Sequence, residues 1–334
     1  MKNRWIGLII ILIIGVCLYG CKDYEKSVNE TVPEYVFTYA ENQPANYPTS
    51  KAAAKFAQLV KERSEGRIHI QVIYDAEFGT QQQTVNQMKF GGVDFARVSL
   101  SSLSDELPIL NVLQLPFLYE DSSHMWRVLN GEIGQELWNT FYELDLVPLS
   151  WFDAGARSFY SVDPINSIED IEGMNIRVQE SQLMRDMITL LGGNPIDRAY
   201  AEVYSAFETG EIDAAENSWS SYQASAHYKV ARYYIVDEHT RVPEIQLIAG
   251  ETWRLLSDED REIMLSAAKD AAEYEKELWK EHESIARSTA LKYGAQEILL
   301  SEQELERFRE KMIPLYEEYC SEYMDIIEKI EQVR

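Results

Sequence analysis

Cysteine and the short motifs of common enzyme families are scarce in this sequence. The chain has three cysteines in 334 residues, and they supply neither a disulfide framework nor a CxxC or Cys/His spacing for zinc. It also has no GxSxG elbow, no GxGxxG or GxxxxGK[ST] loop and no HExxH helix. We therefore expect no metal and no cofactor, and we expect a binding protein rather than an enzyme.

Positive charge is scarce as well. The sequence has 31 lysines and arginines against 56 aspartates and glutamates, which gives a net charge of −25 at pH 7. Such a surface repels nucleic acid and anionic lipid headgroups, so we expect no nucleic-acid partner. Any anion that the protein binds must be held by local cations acting against the overall field, and well-placed arginines are therefore informative.

The first 21 residues have the parts of an export signal. Lys2 and Arg4 precede an apolar run over residues 5–19, which is shorter than the ~20 residues of a membrane-spanning helix and is followed by Gly20 and Cys21. We predict a lipoprotein signal over residues 1–20, cleaved before Cys21 and lipidated on its sulfur; a retained transmembrane anchor is the alternative. Residues 21–33 are typical of a polar tether, which places the folded body outside the cytoplasmic membrane.

Beyond the tether, strand and helix patterns alternate. Alternating or β-rich runs predict strands at 35–40, 67–74, 93–100, 146–152, 157–162, 174–178 and 212–215. The 3.6-residue periodicity predicts helices at 50–63, 80–90, 122–141, 181–191, 201–209 and 221–234. Ser257 and Ser301 open capping boxes of two longer helices of about 35 and about 30 residues. This order predicts an α/β protein with two units and largely parallel sheets.

Arg177 is the residue that most needs a partner. It alternates with Ile176 and Val178 in a short strand, four residues before Ser181 opens a helix. The nearest acid downstream, Glu180, falls on the other face of an extended chain and about 10 Å away. A guanidinium at a strand end, beside a helix N-terminus, can bind an anion in a crevice. An ordinary ion pair elsewhere in the fold is the alternative.

Other polar and aromatic residues follow strands in the same way. Arg157 lies beside an Ala-Gly-Ala turn, and Asn217 follows a predicted strand two residues before Trp219. Arginine suits a carboxylate because its planar fork grips both oxygens. Each residue also has a structural alternative: Arg157 can pair with Asp153, Asn217 can shape a turn, and Trp219 or Tyr200 can simply pack.

Five segments stand out in this order: ENQPANYPTSKAAAKFAQ, LPFLYEDSSHMWRVLNGEIGQEL, GMNIRVQES, YAEVYSAFETGEIDAAENSW and HYKVARYYIVDEHTRVPE. Together they resemble the DctP family, the extracytoplasmic solute-binding proteins of tripartite ATP-independent periplasmic (TRAP) transporters. The resemblance implies a two-lobed α/β periplasmic binding protein fold with hinge-crossing strands and a long spanning helix. Lobe I would comprise 34–153 and 243–282, and lobe II 154–242 and 283–334. It further implies small and large membrane subunits as partners.

The resemblance also implies roles for single residues. The signature arginine that binds the ligand carboxylate falls on Arg177, the second cleft arginine on Arg157 and the cleft asparagine on Asn217. The other expected cleft residues are Glu41 and Asn42 of the closing loop, Arg97, Tyr200, Trp219 and His239.

The expected ligand is a sugar acid. A carboxylate such as Glu41 suits a ligand with donor hydroxyls, and AENQP, FARVS and AENSW resemble the subset of the family that binds glucuronate and galacturonate. The segment ENSWSSY departs from the commoner ENNWPSY, so a C4-dicarboxylate, a sialic acid or a keto acid stays possible as ligand. We expect a monomer that binds without bond making and delivers its ligand to the permease; a sensor subunit and, more remotely, a lipid-anchored extracellular enzyme are the alternatives.

Overall fold

The computed structural model describes residues 32–333. The predicted signal over residues 1–20, Cys21 and most of the tether lie outside this range. In the described part, no helix combines the length and the apolar character needed to cross a membrane.

Twelve strands of the described chain form two sheets. They are β1 (Tyr35–Ala40), β2 (Ile68–Ile73), β3 (Phe95–Ser99), β4 (Leu146–Phe152), β5 (Ala156–Ser161), β6 (Asn175–Val178), β7 (Asn194–Asp197), β8 (Ala214–Asn217), β9 (Tyr233–Ile235), β10 (Thr240–Arg241), β11 (Glu244–Ala249) and β12 (Gln296–Ile298). The first sheet has the order β2-β1-β3-β11-β4. The second has the order β12-β9-β5-β8-β6-β7, and β10 pairs with β5.

The chain crosses between the sheets from β4 to β5 and returns from β10 to β11. The two crossings run in opposite directions, so β11 is antiparallel to β4 and β10 is antiparallel to β5. The prediction of largely parallel sheets holds for β1, β2 and β3 and for β6, β7 and β8, but not for these crossing strands. The strands of each sheet fall within the residue limits predicted for one lobe, and those limits stay a prediction.

Eleven α-helices of the described residues cover the sheets. They are α1 (Pro48–Arg63), α2 (Gln81–Lys89), α3 (Ser122–Asn130), α4 (Glu132–Trp138), α5 (Gln182–Leu190), α6 (Val203–Glu208), α7 (Trp219–Ala224), α8 (Gly250–Leu255), α9 (Asp258–Lys292), α10 (Glu302–Cys320) and α11 (Met324–Gln332). Helix α9 has 35 residues, about 52 Å at 1.5 Å per residue. It packs against both α1 and α7 and so joins the halves of the molecule, as a long spanning helix should.

Three predicted helices are wrong in part. The helix expected over 122–141 is broken at Gly131, whose extended backbone separates α3 from α4. The helix expected over 221–234 ends early because Ala226 adopts a left-handed conformation with φ 56°. Tyr233–Ile235 then forms β9, which pairs with β5 and β12. The helix predicted from Ser301 is also interrupted, by a 3-10 turn over Ser321–Tyr323.

Each sheet has a core in which aromatic rings contact one another. Tyr39 and Phe56 pack on Phe95 in the first half, and Tyr160 contacts Tyr222 in the second. Cys320, at the end of α10, is fully buried, and burial raises the pKa of its thiol to about 12. It is therefore a packing residue.

Candidate functional site

A cavity of about 260 Å³ lies between the two sheets. Loops and helix starts of the first half supply amide and hydroxyl groups, whereas the second half supplies cations. The polar wall residues used below are Asn42, Gln43, Tyr47 and Thr80 from the first half, Arg157, Arg177, Gln179, Arg198, Tyr200, Asn217 and Ser221 from the second, and Glu244 at the start of β11. Ligand sites of proteins are commonly clefts of this kind, with a few convergent polar groups.

Arg177 lies on β6, between β7 and β8, and reaches the cavity wall. The residue is only 4% exposed, and its Nε donates to the carbonyl oxygen of Arg198 at 2.9 Å. Within residues 32–333 no carboxylate oxygen lies within 4.0 Å of its guanidinium. Burial lowers the pKa of Arg177, and the Arg157 charge lowers it further. The site therefore holds a buried cation without an acidic partner among the described residues.

The histidine and the tyrosine closest to the Arg177 guanidinium in charge terms are both neutral. Burial and the positive charge of Arg177 lower the pKa of His227 to about 3, so its imidazole is neutral at physiological pH. The Nδ1 of His227 lies 2.8 Å from the hydroxyl of Tyr160, whose pKa is raised chiefly by burial. Both neighbours are thus uncharged near pH 7, so neither of them neutralises Arg177.

Arg157 differs from Arg177 because it is already neutralised. Its Nη2 donates to Glu216 Oε1 at 2.7 Å, and its Nη1 donates to Asn217 Oδ1 at 3.2 Å. Burial alone would raise the pKa of Glu216, but Arg157 and His239 outweigh it and lower this pKa to about 2. Burial likewise disfavours the charged form of His239, yet Asp237 and Glu216 raise its pKa to about 9. This cluster fixes the direction of Arg157 and of the Asn217 side chain.

A second charged cluster stands beside the cavity in the first half. Both oxygens of Glu41 accept from Arg97, and Glu41 Oε1 also accepts from the backbone N–H of Gln43 at 3.0 Å. The side chains of Glu41 and Arg97 are 0% and 1% exposed. They border a much smaller neighbouring cavity rather than the main one. Arg97 also donates to Asn42, whose side chain it holds at the main cavity.

Glu244 completes this cluster and reaches the main cavity. Its Oε1 accepts from Arg97 Nη1 at 2.9 Å. Burial, aided by the Glu41 charge and opposed by Arg97 and Arg157, raises the pKa of Glu244 to about 7. One guanidinium is thus shared by two carboxyl groups.

Two wall residues carry unused hydrogen-bonding capacity. Gln43 Oε1 and Gln179 Oε1 are buried and have no hydrogen-bond partner among the described residues. Buried polar atoms of folded proteins are normally paired, so these amides need groups that the described chain does not supply. Hydroxyl groups are donors of the kind that these two amide oxygens lack.

The structure thus brings five of the nine predicted ligand residues to the cavity wall: Arg157, Arg177, Asn42, Asn217 and Tyr200. It does not bring Glu41, Arg97, Trp219 or His239 there. Trp219 stacks on Tyr234 with ring centroids 3.6 Å apart, and His239 stacks on Phe159 at 4.4 Å. The binding roles of all nine residues stay predictions. Of these four, Arg97 donates to the wall residue Asn42, and His239 Nε2 lies 3.7 Å from Glu216 Oε2, whose carboxylate also accepts from Arg157.

The wall residues that were not predicted from the sequence include Gln43, Tyr47, Arg198 and Glu244. Gln43 and Tyr47 stand in the same segment as Asn42, so the spacing of that loop was the available signal. Glu244 ends the segment HTRVPE, but no strand was predicted there. Arg198 follows β7, a strand whose proline, Pro195, weakens the β pattern.

The two halves touch around the cavity. Polar contacts between side chains join them on more than one side, so the cleft is in a closed form. They are Tyr47 Oη with Ser221 Oγ at 2.9 Å, Thr80 Oγ1 with Glu180 Oε2 at 3.4 Å, and Arg185 Nη2 with Asp105 Oδ2 at 3.7 Å.

Two α/β halves that enclose a cation-lined cavity and are joined by crossing strands define a two-lobed solute-binding protein. The family model described as bacterial extracellular solute-binding protein, family 7 (DctP) matches residues 39–322, and the chain belongs to this family. The predicted family and fold are therefore confirmed. The family consists of solute-binding receptors, so the protein is an extracytoplasmic receptor and not an enzyme.

Relatives and solved structures agree with this membership. A solute-binding protein of Chromohalobacter salexigens is 37% identical over 284 residues, 85% of this chain and 84% of the relative. A TRAP periplasmic solute-binding protein of Bradyrhizobium, in complex with galacturonate, superposes with a TM-score of 0.86 at 35% identity, covering 89% of this chain and 99% of that one. One from C. salexigens with bound D-glucuronate gives 0.86 at 35% identity, covering 89% and 100%.

Proposed function

We propose that this receptor binds a hexuronate, glucuronate or galacturonate, between its two halves and delivers it to the membrane subunits of a TRAP transporter. Solved structures of similar proteins carry these two sugar acids. The composition of the cavity wall supports the same ligand class, because it combines one unpaired cation with several groups suited to hydroxyls.

The observation that carries the proposal is the state of Arg177. A guanidinium that is 4% exposed and has no carboxylate partner among the described residues is costly unless an anion compensates it. The ligand carboxylate supplies that charge and can accept two hydrogen bonds from the planar fork. The bound ligand therefore supplies the anion that forms an ion pair with Arg177.

The other wall residues orient the ligand. Arg157 and Asn217 add donors from the second sheet, and Asn42 and Gln43 reach from the first. Tyr200 lines the wall, and in this proposal its ring packs on a sugar face. The residues behind the wall hold these groups in place: Arg97 and Glu41 hold Asn42, and His239 acts through Glu216, to which Arg157 is bonded.

We place the receptor on the outer side of the cytoplasmic membrane, anchored through a lipid on Cys21. A Cys21→Ser variant produced in cells would then lose incorporation of a fatty-acid label and leave the membrane fraction. A wild-type protein that stays with the membrane but takes up no label would instead have a retained transmembrane anchor. The limits of the two lobes, 34–153 with 243–282 and 154–242 with 283–334, belong to the same proposal.

A thermal-shift screen tests the ligand class. A ligand at 100 times its Kd adds ~2.7 kcal/mol to the folded state, enough to raise Tm by several degrees. Glucuronate and galacturonate should do so, whereas glucose and galactose, which lack the carboxylate, should not. The screen includes succinate, malate, a sialic acid and a keto acid. The proposal fails if one of these acids shifts Tm and neither hexuronate does, or if the neutral sugars act equally well.

A further inference from the structure

Among the residues that the structure describes, Glu244 is the one acidic residue that reaches the main cavity from a crossing strand. It opens β11, where it pairs with Ser99 of β3 and Phe152 of β4 in the first sheet, whereas Arg177 belongs to the second. The two charged residues therefore border the cavity from different halves. A ligand held by Arg177 through its carboxylate extends other groups toward the half that contains Glu244.

The carboxylates of Glu41 and Glu244 differ in how many of their oxygens accept hydrogen bonds from Arg97. Glu41 accepts from Arg97 through both oxygens and is 0% exposed. Glu244 accepts from Arg97 through Oε1 alone, and its side chain is 12% exposed. No hydrogen bond within residues 32–333 engages Glu244 Oε2. The acceptor that the sequence suggested at Glu41 is thus available at Glu244 instead.

The charges around Glu244 determine which ligand group can lie beside its Oε2. Arg97 is the nearest cation and is shared between Glu41 and Glu244, while Arg157 is bound to Glu216. Above its pKa of about 7 Glu244 is ionised, and a further carboxylate placed here would then face like charge without a free cation, which is destabilising at short range. A hydroxyl donates its proton to a carboxylate oxygen and meets no such penalty.

We propose, on the basis of the hexuronate function proposed above, that Glu244 is a specificity-determining residue. It accepts a hydrogen bond from a ligand hydroxyl through Oε2 and excludes acids that carry a second carboxylate at that position. The receptor thereby separates a uronate from the dicarboxylate of the same carbon chain. Hydroxyl recognition and charge exclusion come from the same oxygen.

Isothermal titration of the full chain at pH 8.5, where Glu244 with its pKa of about 7 is ionised, tests this role with D-glucuronate and its dicarboxylate counterpart, D-glucarate. Wild type should bind glucuronate at least 100-fold more tightly than glucarate. Glu244→Gln should weaken glucuronate about 10-fold and strengthen glucarate, so that the ratio falls at least 10-fold. Glu251→Gln, an exposed glutamate on α8, is the matched control and should keep the wild-type ratio.

The outcomes separate this inference from the function it rests on. If wild type binds no hexuronate, the proposed function fails. If wild type binds glucuronate and the ratio in Glu244→Gln stays within threefold of wild type, only the role of Glu244 is overturned. If Glu244→Gln does not fold, Glu244→Asp is used instead, because it keeps the charge on a shorter side chain. Weaker binding of glucuronate, with glucarate still excluded, then supports the role of Glu244. Equal binding of glucarate and glucuronate refutes it.

Discussion

Replacing Arg177 by methionine should separate ligand affinity from stability. The substitution removes a buried cation while keeping an unbranched apolar stem in its place. Truncating one partner of a buried, hydrogen-bonded charge pair costs about 2–5 kcal/mol of binding free energy. At 1.4 kcal/mol per tenfold change, Kd for the sugar acid should rise from about 30-fold to several thousand-fold.

The stability of the ligand-free protein, by contrast, should change little or increase. Arg177 has no carboxylate partner to lose within the described chain, and burial already lowers its pKa. Its loss forfeits one hydrogen bond to the Arg198 carbonyl, about 1 kcal/mol, and relieves the desolvation of a charge. The free energy of unfolding without ligand should therefore stay within ~1 kcal/mol of wild type or exceed it.

Arg157→Met is the matched control, since it removes a cation of similar burial from the same wall. It strands the carboxylate of Glu216, which is 0% exposed and accepts from Arg157 at 2.7 Å. Breaking a buried pair in this way costs about 3–5 kcal/mol of stability. Urea unfolding without ligand and isothermal titration with hexuronate measure both quantities. The reasoning is refuted if Arg177→Met destabilises the free protein as much as Arg157→Met, or leaves Kd within threefold of wild type.

Three further results are expected. The pKa of His239 is raised to about 9, so its contribution to stability is complete below its unfolded pKa of ~6.5 and is lost as pH rises through 9. His239→Gln should therefore lower the free energy of unfolding more at pH 6 than at pH 10, by on the order of 3 kcal/mol. An equal loss at both pH values would contradict this. Tyr47→Phe removes the 2.9 Å contact with Ser221 across the cleft and should weaken hexuronate binding by ~0.5–1.5 kcal/mol in titration, whereas an unchanged Kd would show that closure does not need it. Gly155 has φ 74° between β4 and β5, and an added Cβ would lie 2.9 Å from Glu283 Oε1; Gly155→Ala should cost about 1–3 kcal/mol in urea unfolding, and wild-type stability would refute the strain.

The periodic parts of the fold could be predicted from the sequence because they depend on local spacing. The strand Tyr35–Ala40 is predicted with its observed limits, and the 35-residue helix after Ser257 with its observed start and approximate length. Gly131 and Ala226 were not recognised as breaks, since an apolar pattern continues through both. Whether the backbone turns at such a residue depends on what lies across from it, and β9 forms because its aromatic run finds β5 and β12 as neighbours.

In the candidate site, too, features set by the local sequence could be predicted, whereas those set by tertiary neighbours could not. Arg177 could be singled out because neighbouring residues in its strand offered no acid. Glu41 could not be ruled out as a wall residue, since Arg97, which takes both of its oxygens, lies 56 positions away. The ring of Trp219 could face a ligand or the core from the same backbone, and Tyr234 decides the matter by stacking on it. Residue type suggests a capability, and only the tertiary neighbours show whether it is already used.

The buried thiol of Cys320 makes the protein convenient for distance measurements between its halves. Thiolate is the reactive form of cysteine, and a fully buried group with a pKa of about 12 presents almost none of it to a reagent. It is the only cysteine in the part of the chain that the structure describes. Pairs of cysteines introduced on the exposed surfaces of the two halves could therefore take spin or fluorescent probes while Cys320 stays native, and cleft motion could be followed as a distance during titration with a sugar acid.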